Sequence, residues 1–217
     1  MSDRLRVYVD FQDPGSFLAL EPTRALTREF DLTLEWLPLQ VRATASGSAS
    51  DESGASESVG ARHRRVRQAY RQMNHERYAL WRGLTLRLPD RDHDAAVAGM
   101  GLLWLSARLP EAAHAYLDRV FTGFFAGTLA LDEPTQIVES LQQCGVDTAE
   151  FAAYSGEAGR SALNAVQTQA LESGVIAAPC YQIGDEIFVG REHLPMIRWI
   201  LAGRPGSGDG AEPRLRA

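Results

Sequence analysis

Two short segments near opposite ends of the chain contain residue types that can form a site. Residues 13–16 (sequence DPGS) offer a carboxylate and a hydroxyl at the start of an expected helix. Residues 178–180 (sequence APC) place a proline and a thiol in a short apolar run. Proline within a strand removes a ladder hydrogen bond and normally marks an edge strand. A cis Ala178–Pro179 bond that forms a tight corner is the alternative.

Other common site chemistries are missing from the sequence. Cys144 and Cys180 form no CxxC pair, which excludes a thioredoxin-type dithiol in this chain and fits a reducing compartment. For Cys180 we favour a small buried residue over a thiol at the site. The five histidines lack metal-ligand spacing, and no phosphate-binding loop or nucleophile elbow occurs. His93, between two aspartates, is interpreted as part of a solvated linker, with an acid–base group as the alternative.

Composition limits the class of protein. The chain of 217 residues suits one large domain or a domain with an insertion. Its net charge of −6 argues against nucleic acid and anionic membranes as partners, because both require a basic surface. We expect no signal peptide and no membrane span, and therefore a cytoplasmic protein.

The N-terminal part predicts a β-α-β unit. Leu5–Phe11 alternates apolar and polar residues as a strand does. Asp13 as N-cap and proline at the next position start a helix that continues to Phe30, with a kink expected at Pro22. A second strand follows over 31–37, parallel to the first.

The middle of the chain changes character twice. Residues 43–61, with six serines and three glycines, are expected to be a flexible insertion. Residues 62–173 then predict a helical insertion domain, which begins with a basic helix over 62–82. We interpret that basic face as solvated, with an anion contact as the alternative. Further helices are predicted over 95–109, 111–125, 134–144, 147–154 and 159–173.

The C-terminal part predicts a hairpin and a last helix. The run 175–183 leads into the turn Gly184-Asp185, and Glu186–Val189 returns as the second strand. A helix is expected over 192–202, and 204–217 is expected to be a disordered tail. The element order predicts an α/β, thioredoxin-like fold (β-α-β … β-β-α) with a large all-helical insertion. Its thioredoxin-like domain comprises 1–42 and 174–203.

Two motifs give the chain a family resemblance. Residues 8–18 (YVDFQDPGSFL) are similar to the opening Asp-Phe-x-Ser-Pro-x-Ser-[Tyr/Phe]-Leu of the 2-hydroxychromene-2-carboxylate isomerases and kappa-class glutathione transferases. Residues 174–179 (GVIAAP) and 188–194 (FVGREHL) resemble the same family's Gly-Val-x-Gly-Val-Pro and Phe-x-Gly-x-Asp-Arg-Leu. These enzymes belong to the superfamily of DsbA-type disulfide oxidoreductases.

The resemblance implies glutathione as cofactor. Its thiolate would lie at the start of the first helix, near Asp13 and Ser16. The backbone of Ala178, beside Pro179, would pair with the glutathione backbone. The turn formed by Gly190, Arg191 and Glu192 would hold the γ-glutamyl end. The resemblance also implies a small-molecule substrate and a possible homodimer.

The sequence departs from the family at the activating position. There the family has a serine that donates to the glutathione sulfur, and this chain has Asp13, whose ionised carboxylate only accepts hydrogen bonds and repels a thiolate. A protonated Asp13, or the Ser16 hydroxyl, would be needed to replace it; the exposed cap position argues against the former. The family's Asn-Thr pair is also missing, where residues 92–94 read DHD.

Three functions therefore remain. The first is a glutathione-dependent isomerase or transferase acting on a small aromatic or electrophilic substrate. The second is a non-catalytic binding protein on the same scaffold. The third is a disulfide oxidoreductase homologue without its redox cysteine pair.

Overall fold

A computed structural model describes residues 4–40, 58–89, 91 and 93–204, and its centre is a four-stranded mixed sheet. The strands are β1 (Arg4–Val9), β2 (Thr33–Pro38), β3 (Cys180–Ile183) and β4 (Glu186–Val189). Their order in the sheet is β2-β1-β3-β4. The β1–β2 pair is parallel, and the other two pairs are antiparallel. The predicted α/β, thioredoxin-like fold is confirmed.

Eight α-helices complete the described part of the chain. They are α1 (Pro14–Phe30), α2 (Val59–Trp81), α3 (Ala96–Arg108), α4 (Ala113–Ala126), α5 (Pro134–Gln143), α6 (Phe151–Tyr154), α7 (Glu157–Glu172) and α8 (Leu194–Leu201). Short 3₁₀ turns precede α4 and α8, at Pro110–Ala112 and Arg191–His193. Six of the eight helices, α2 to α7, lie between β2 and β3, as the sequence predicted.

Two local predictions need correction. Helix α2 starts at Val59, three residues earlier than expected, because the Ser58 side chain accepts from the amide of Ala61 as an N-cap. Helix α6 is shorter than 147–154, because Asp147 accepts from the amide two residues later and closes a turn instead. Helix α1 runs through Pro22 to Phe30, as the sequence predicted. Most of the predicted insertion 43–61 and of the tail 204–217 lies outside the described residues.

One apolar core joins the sheet to the inserted helices. Leu5, Val7 and Val9 of β1 belong to the same buried cluster as α4 residues such as Phe121 and Phe125. Four stacked rings connect α1 and the segment after β1 to α4: Phe11, Phe17, Phe121 and Phe125. A smaller cluster on the other side of the sheet contains Tyr8, Val175 and Cys180. The inserted helix α4 therefore packs directly against the start of α1.

Helix α2 differs from the other long helices because it buries little. Ala79 is its only buried residue among those described. Its C-terminal end is held to α1, where Arg82 donates to the Leu18 carbonyl at 2.7 Å. The guanidinium of Arg191, before α8, lies 3.6 Å from the ring centre of Tyr78. These contacts place α2 beside the start of α1.

Candidate functional site

The proline corner lies against the start of the first helix. The Ala178–Pro179 peptide bond is cis, and it precedes β3. Because β3 pairs with both β1 and β4, it is an interior strand and the proline is not an edge-strand marker. A Cβ added to Gly15 would lie 3.3 Å from Pro179 Cδ, so the two segments are in contact. The sequence predicted this proximity, and the structure confirms it.

A cleft of about 850 Å³ opens beside this contact. Its walls come from the start of α1, the residues before the proline, α2 and the segment before α3. The lining residues are Asp10, Gln12, Asp13, Pro14, Gln40, Gln68, Arg71, Pro89, His93, Asp94, Ala95, Ala177 and Ala178. Of the residues predicted for the site, Asp13 and Ala178 line it.

Asp13 is the N-cap of α1 and is half-buried. Its Oδ2 accepts hydrogen bonds from the Ser16 amide at 2.6 Å and the Ser16 hydroxyl at 2.9 Å. Burial raises the pKa of the carboxyl above its ordinary value, although the hydrogen bonds from Ser16 and Gly15 and the nearby His75 act in the opposite direction. The expectation of an exposed cap was therefore wrong, because α2 and the proline corner cover this end of the helix.

Ser16 lies behind Asp13, not in the cleft. The residue is fully buried, and its hydroxyl donates to Asp13 and accepts from the Asp10 amide at 3.2 Å. Its only hydrogen-bond donor is thus used by Asp13, and one of its two acceptor lone pairs is used by the Asp10 amide. This placement makes Ser16 a residue that orients the Asp13 carboxylate, and a ligand would reach its hydroxyl only after these bonds break.

The turn before α8 flanks the proline. The Gly190 amide donates to the Pro179 carbonyl at 2.7 Å. Gly190 has a φ of 98°, and a Cβ there would overlap the Glu192 carboxylate. Arg191 packs on Tyr78 of α2. These residues lie beside the described lining of the cleft and link the proline to α2.

Charged groups from several elements share this region. Burial lowers the pKa of His75 on α2, an effect that the nearby Asp13 carboxylate opposes. The side chains that line the cleft include one guanidinium, from Arg71, and three carboxylates, from Asp10, Asp13 and Asp94. This mixture suits a ligand that carries both a positive and a negative group.

His93 lines the cleft, although the sequence analysis favoured a solvated linker and gave an acid–base group only as the alternative. Its side chain is only 13% exposed, and its Nδ1 lies 3.3 Å from Asp132 Oδ1. The ring packs edge-on against Phe124, and the backbone amide donates to Gln12. A histidine oriented by a carboxylate is an arrangement used in proton transfer. The predicted solvated linker is therefore wrong at this residue; the signal available in the sequence was His93 itself, between two aspartates.

The described residues contain two free cysteines and no cluster of metal-binding side chains. Cys180 is fully buried, and burial raises the pKa of its thiol to about 11. Cys144, at the end of α5, is also a free cysteine. No group of three histidine, cysteine or acidic side chains within the described ranges could hold a metal ion. None of the described helices is both long and apolar enough for a membrane span.

Comparison with known proteins agrees with this architecture. The family profile of the DSBA-like thioredoxin domain matches residues 4–202. No curated protein sequence is significantly similar to the chain. Among solved structures, 2-hydroxychromene-2-carboxylate isomerase is similar with a TM-score of 0.70 and 22% identity, covering 93% of this chain and 95% of that protein.

Two further structures show the range of the fold. A probable DsbA oxidoreductase from Streptomyces coelicolor has a TM-score of 0.66 and 18% identity, covering 92% of this chain and 90% of its own. The cytosolic disulfide reductase DsbM from Pseudomonas aeruginosa, solved with GSH, has a TM-score of 0.57 and 19% identity, covering 93% and 98%. At these identities the likeness concerns the fold alone. Since the family profile covers most of its length, the chain belongs to the DSBA-like thioredoxin-domain family.

Proposed function

We propose that the protein binds glutathione in the cleft and uses its thiol on a small aromatic or electrophilic substrate, as a glutathione-dependent isomerase or transferase. The observation that supports this most is the cleft itself, which is lined by both Ala178 and the start of α1. Ala178 lies outside the β3 ladder, so its backbone groups are suited to pair with a peptide. The volume of about 850 Å³ is in the range of small-molecule sites.

The charges of the cleft fit this ligand. Glutathione carries carboxylates and one ammonium group, and the cleft offers Arg71 for the former and Asp10 or Asp94 for the latter. Glu192, beside the proline, is proposed to contact the γ-glutamyl end, with Gly190 and Arg191 holding its turn in place. The solved structure of DsbM contains GSH, which supports the compatibility of this fold with the ligand.

Asp13 is proposed to act as a base, not as a substitute for the family's serine. An ionised carboxylate beside the glutathione thiol accepts its S–H hydrogen bond. The S–H bond then breaks and its proton moves to Asp13 as the sulfur bonds to an electrophilic carbon, whose C=C π electrons move onto a conjugated carbonyl oxygen of the substrate. A raised carboxyl pKa makes this transfer more favourable. His93, oriented by Asp132, is proposed to donate a hydrogen bond or proton to the substrate.

A thermal-shift measurement tests the proposal. Millimolar glutathione is expected to raise the melting temperature of the wild-type chain, because a ligand selective for the native state stabilises it by about 2.7 kcal/mol at one hundred times its dissociation constant. An unchanged melting temperature would remove the basis for the enzyme. S-methylglutathione provides the matched ligand, since it keeps the peptide but cannot donate a thiol hydrogen to Asp13.

The second candidate is a non-catalytic binding protein on the same scaffold. It is favoured by the occupied Ser16 hydroxyl and by the carboxylate at the activating position. If the protein binds glutathione but does not turn over a model aromatic electrophile, this second candidate is favoured over the enzyme. A dithiol oxidoreductase is disfavoured, because segment 13–16 has no cysteine and Cys180 is buried. We also propose a cytoplasmic location, which two unpaired cysteines support.

A further inference from the structure

Helix α2 carries a seven-residue repeat on the face turned away from the domain. Its apolar members are Val59, Val66, Met73 and Leu80, which are 73%, 58%, 38% and 82% exposed. A second series, His63, Tyr70 and Arg77, falls four residues after the first three of these. The two series alternate in steps of four and three residues over 59–80. We call these seven residues the α2 seam.

The rest of the domain uses the other side of α2. Gln68 and Arg71 line the cleft, Tyr78 packs under Arg191, and Ala79 is buried. Arg82, just past the helix, bonds to the Leu18 carbonyl. At 100° per residue these positions lie opposite the α2 seam. Within the described part of the chain, the seam is therefore left facing solvent.

Spacing of this kind is typical of a helix that packs along its length against another helix. Alternating steps of three and four residues keep one stripe facing a partner in a two-stranded coiled coil. Helix α2 has 23 residues and is about 34 Å long. A helix of this length gains most of its stability from packing its apolar face against a partner. The rest of the domain does not provide such a partner for the α2 seam.

We propose that the α2 seam is covered by the same seam of a second copy of this chain, with the two helices antiparallel. The flanking charges favour this orientation. In an antiparallel pair related by a two-fold axis near Gln68, Arg62 lies opposite Glu76 of the partner subunit, and this contact occurs twice. A parallel pair would instead place Arg62 beside Arg67 of the partner subunit, on both sides.

The antiparallel arrangement also contains an unfavourable contact. Arg67 meets its own copy near the two-fold axis, so among the flanking positions one repulsion opposes two attractions. The other α2 arginines outside the seam, Arg64, Arg65 and Arg71, lie more than 100° around the helix from the seam centre. Arg77 belongs to the seam, where it faces Val59 of the partner subunit with its aliphatic stem. Since charge pairs at such flanking positions select orientation more than they supply affinity, the apolar side chains provide most of the association.

Analytical ultracentrifugation of the full chain tests the interface. The wild type is expected to sediment as a dimer, and Val66→Glu with Tyr70→Glu is expected to sediment as a monomer with unchanged circular dichroism. Leu171→Glu is the matched control, because Leu171 is a 69% exposed leucine outside α2, and it is expected to remain dimeric. A wild-type protein that sediments as a monomer would overturn the proposal. The proposal would also be overturned if this monomer bound an acidic helical peptide instead.

Charge reversal tests the orientation without altering the apolar residues. Glu76→Arg is expected to weaken the dimer about tenfold, because both cross-helix pairs become repulsive. Combining it with Arg62→Glu reverses the sign of both partners and is expected to restore the wild-type dissociation constant. If the double variant remains as weak as Glu76→Arg, the antiparallel pairing is wrong. These measurements need no glutathione, so their outcome is independent of the proposed function.

Discussion

The Arg82 guanidinium donates a hydrogen bond of 2.7 Å to the backbone carbonyl of Leu18. In a regular helix this carbonyl would accept from the amide of residue 22, but that residue is proline and has no amide hydrogen. Arg82 supplies the missing donor, and α1 continues past Pro22. The same bond fixes the end of α2 against α1, so that Gln68 and Arg71 of α2 can form a wall of the cleft.

Arg82→Ala is expected to destabilise the protein by about 1–3 kcal/mol, because it leaves the Leu18 carbonyl without a donor in a partly buried place. Denaturant unfolding monitored by circular dichroism measures this change. Arg64→Ala is the control, since Arg64 is an exposed arginine of α2 that does not line the cleft. A similar, small effect of both substitutions would contradict the role assigned to Arg82.

A double-mutant cycle isolates the contact itself. Pro22→Ala restores an amide hydrogen that can bond to the Leu18 carbonyl. In that background Arg82→Ala is expected to cost clearly less than in the wild type, because the carbonyl no longer depends on the guanidinium. Equal costs in both backgrounds would show that Arg82 acts through other contacts.

The fold could be predicted because its elements carry strong local signals. Asp13 followed by proline fixes the start of α1, and Gly184-Asp185 fixes the hairpin between β3 and β4. The proline corner was predicted to lie near the helix start, and its contact with Gly15 agrees. These features depend on residues close together in sequence, or on a motif pair whose order is typical of one fold.

The composition of the cleft could not be predicted in the same way. His93 is a buried residue of the cleft wall because Asp132 and Phe124, some thirty to forty residues away in the sequence, pack against it. Ser16 was expected to serve a ligand, but its hydroxyl donates to the Asp13 carboxylate and accepts from the Asp10 amide. The position of His93 depends on tertiary contacts, and the bonds of Ser16 depend on the exact backbone turn, and neither leaves a periodic pattern in the sequence. The α2 seam is the opposite case, since its repeat is visible in the sequence but its importance appears only once its exposure is known.

Asp13 is expected to make stability depend on pH. Because its folded-state pKa is raised above the ordinary 3.8, the folded protein holds this proton more tightly than the unfolded chain does. The resulting stabilisation is present below the ordinary pKa and is lost as the pH rises through the raised folded-state value. Relative to Asp13→Asn, the wild type should therefore become less stable from acidic to neutral pH.

Unfolding free energies of the two proteins, measured between pH of about 3 and 7, test this expectation. Asparagine keeps the side-chain oxygen that caps the helix but does not titrate, so other titrating groups cancel in the difference. A difference that stays constant, or changes in the opposite direction, would show that the carboxyl pKa is not raised.

Arg71→Ala is expected to weaken glutathione binding about tenfold or more, because a charge-assisted hydrogen bond contributes about 1.5–3 kcal/mol. Isothermal titration calorimetry provides the dissociation constant. Arg64→Ala again serves as the control, since it removes the same charge from the same helix outside the cleft. Equal weakening by both variants would indicate a long-range charge effect and no direct contact.

Cys180 is expected to resist alkylation in the folded protein. It is fully buried, and its thiol pKa of about 11 leaves almost no thiolate near neutral pH. Iodoacetamide labelling followed by peptide mass spectrometry should modify Cys144, which is half-buried, before Cys180. Rapid labelling of Cys180 without denaturant would contradict its burial and would favour a function that uses this thiol.

Gly15→Ala tests the contact between the helix start and the proline corner. Its Cβ would lie 2.9 Å from Asp13 Oδ2 and 3.3 Å from Pro179 Cδ, so one of these groups must move. Gly60→Ala is the matched control, because Gly60 is the second residue of α2, as Gly15 is of α1, and the nearest neighbour of its added Cβ would lie at 3.5 Å.

Helix propensity alone favours alanine by up to about 1 kcal/mol at both positions. We therefore expect Gly60→Ala to be neutral or stabilising, while Gly15→Ala destabilises the protein and reduces the thermal shift with glutathione. If both variants gain stability and keep the glutathione response, Gly15 and Pro179 are not in contact, and the two segments do not form the walls of one site.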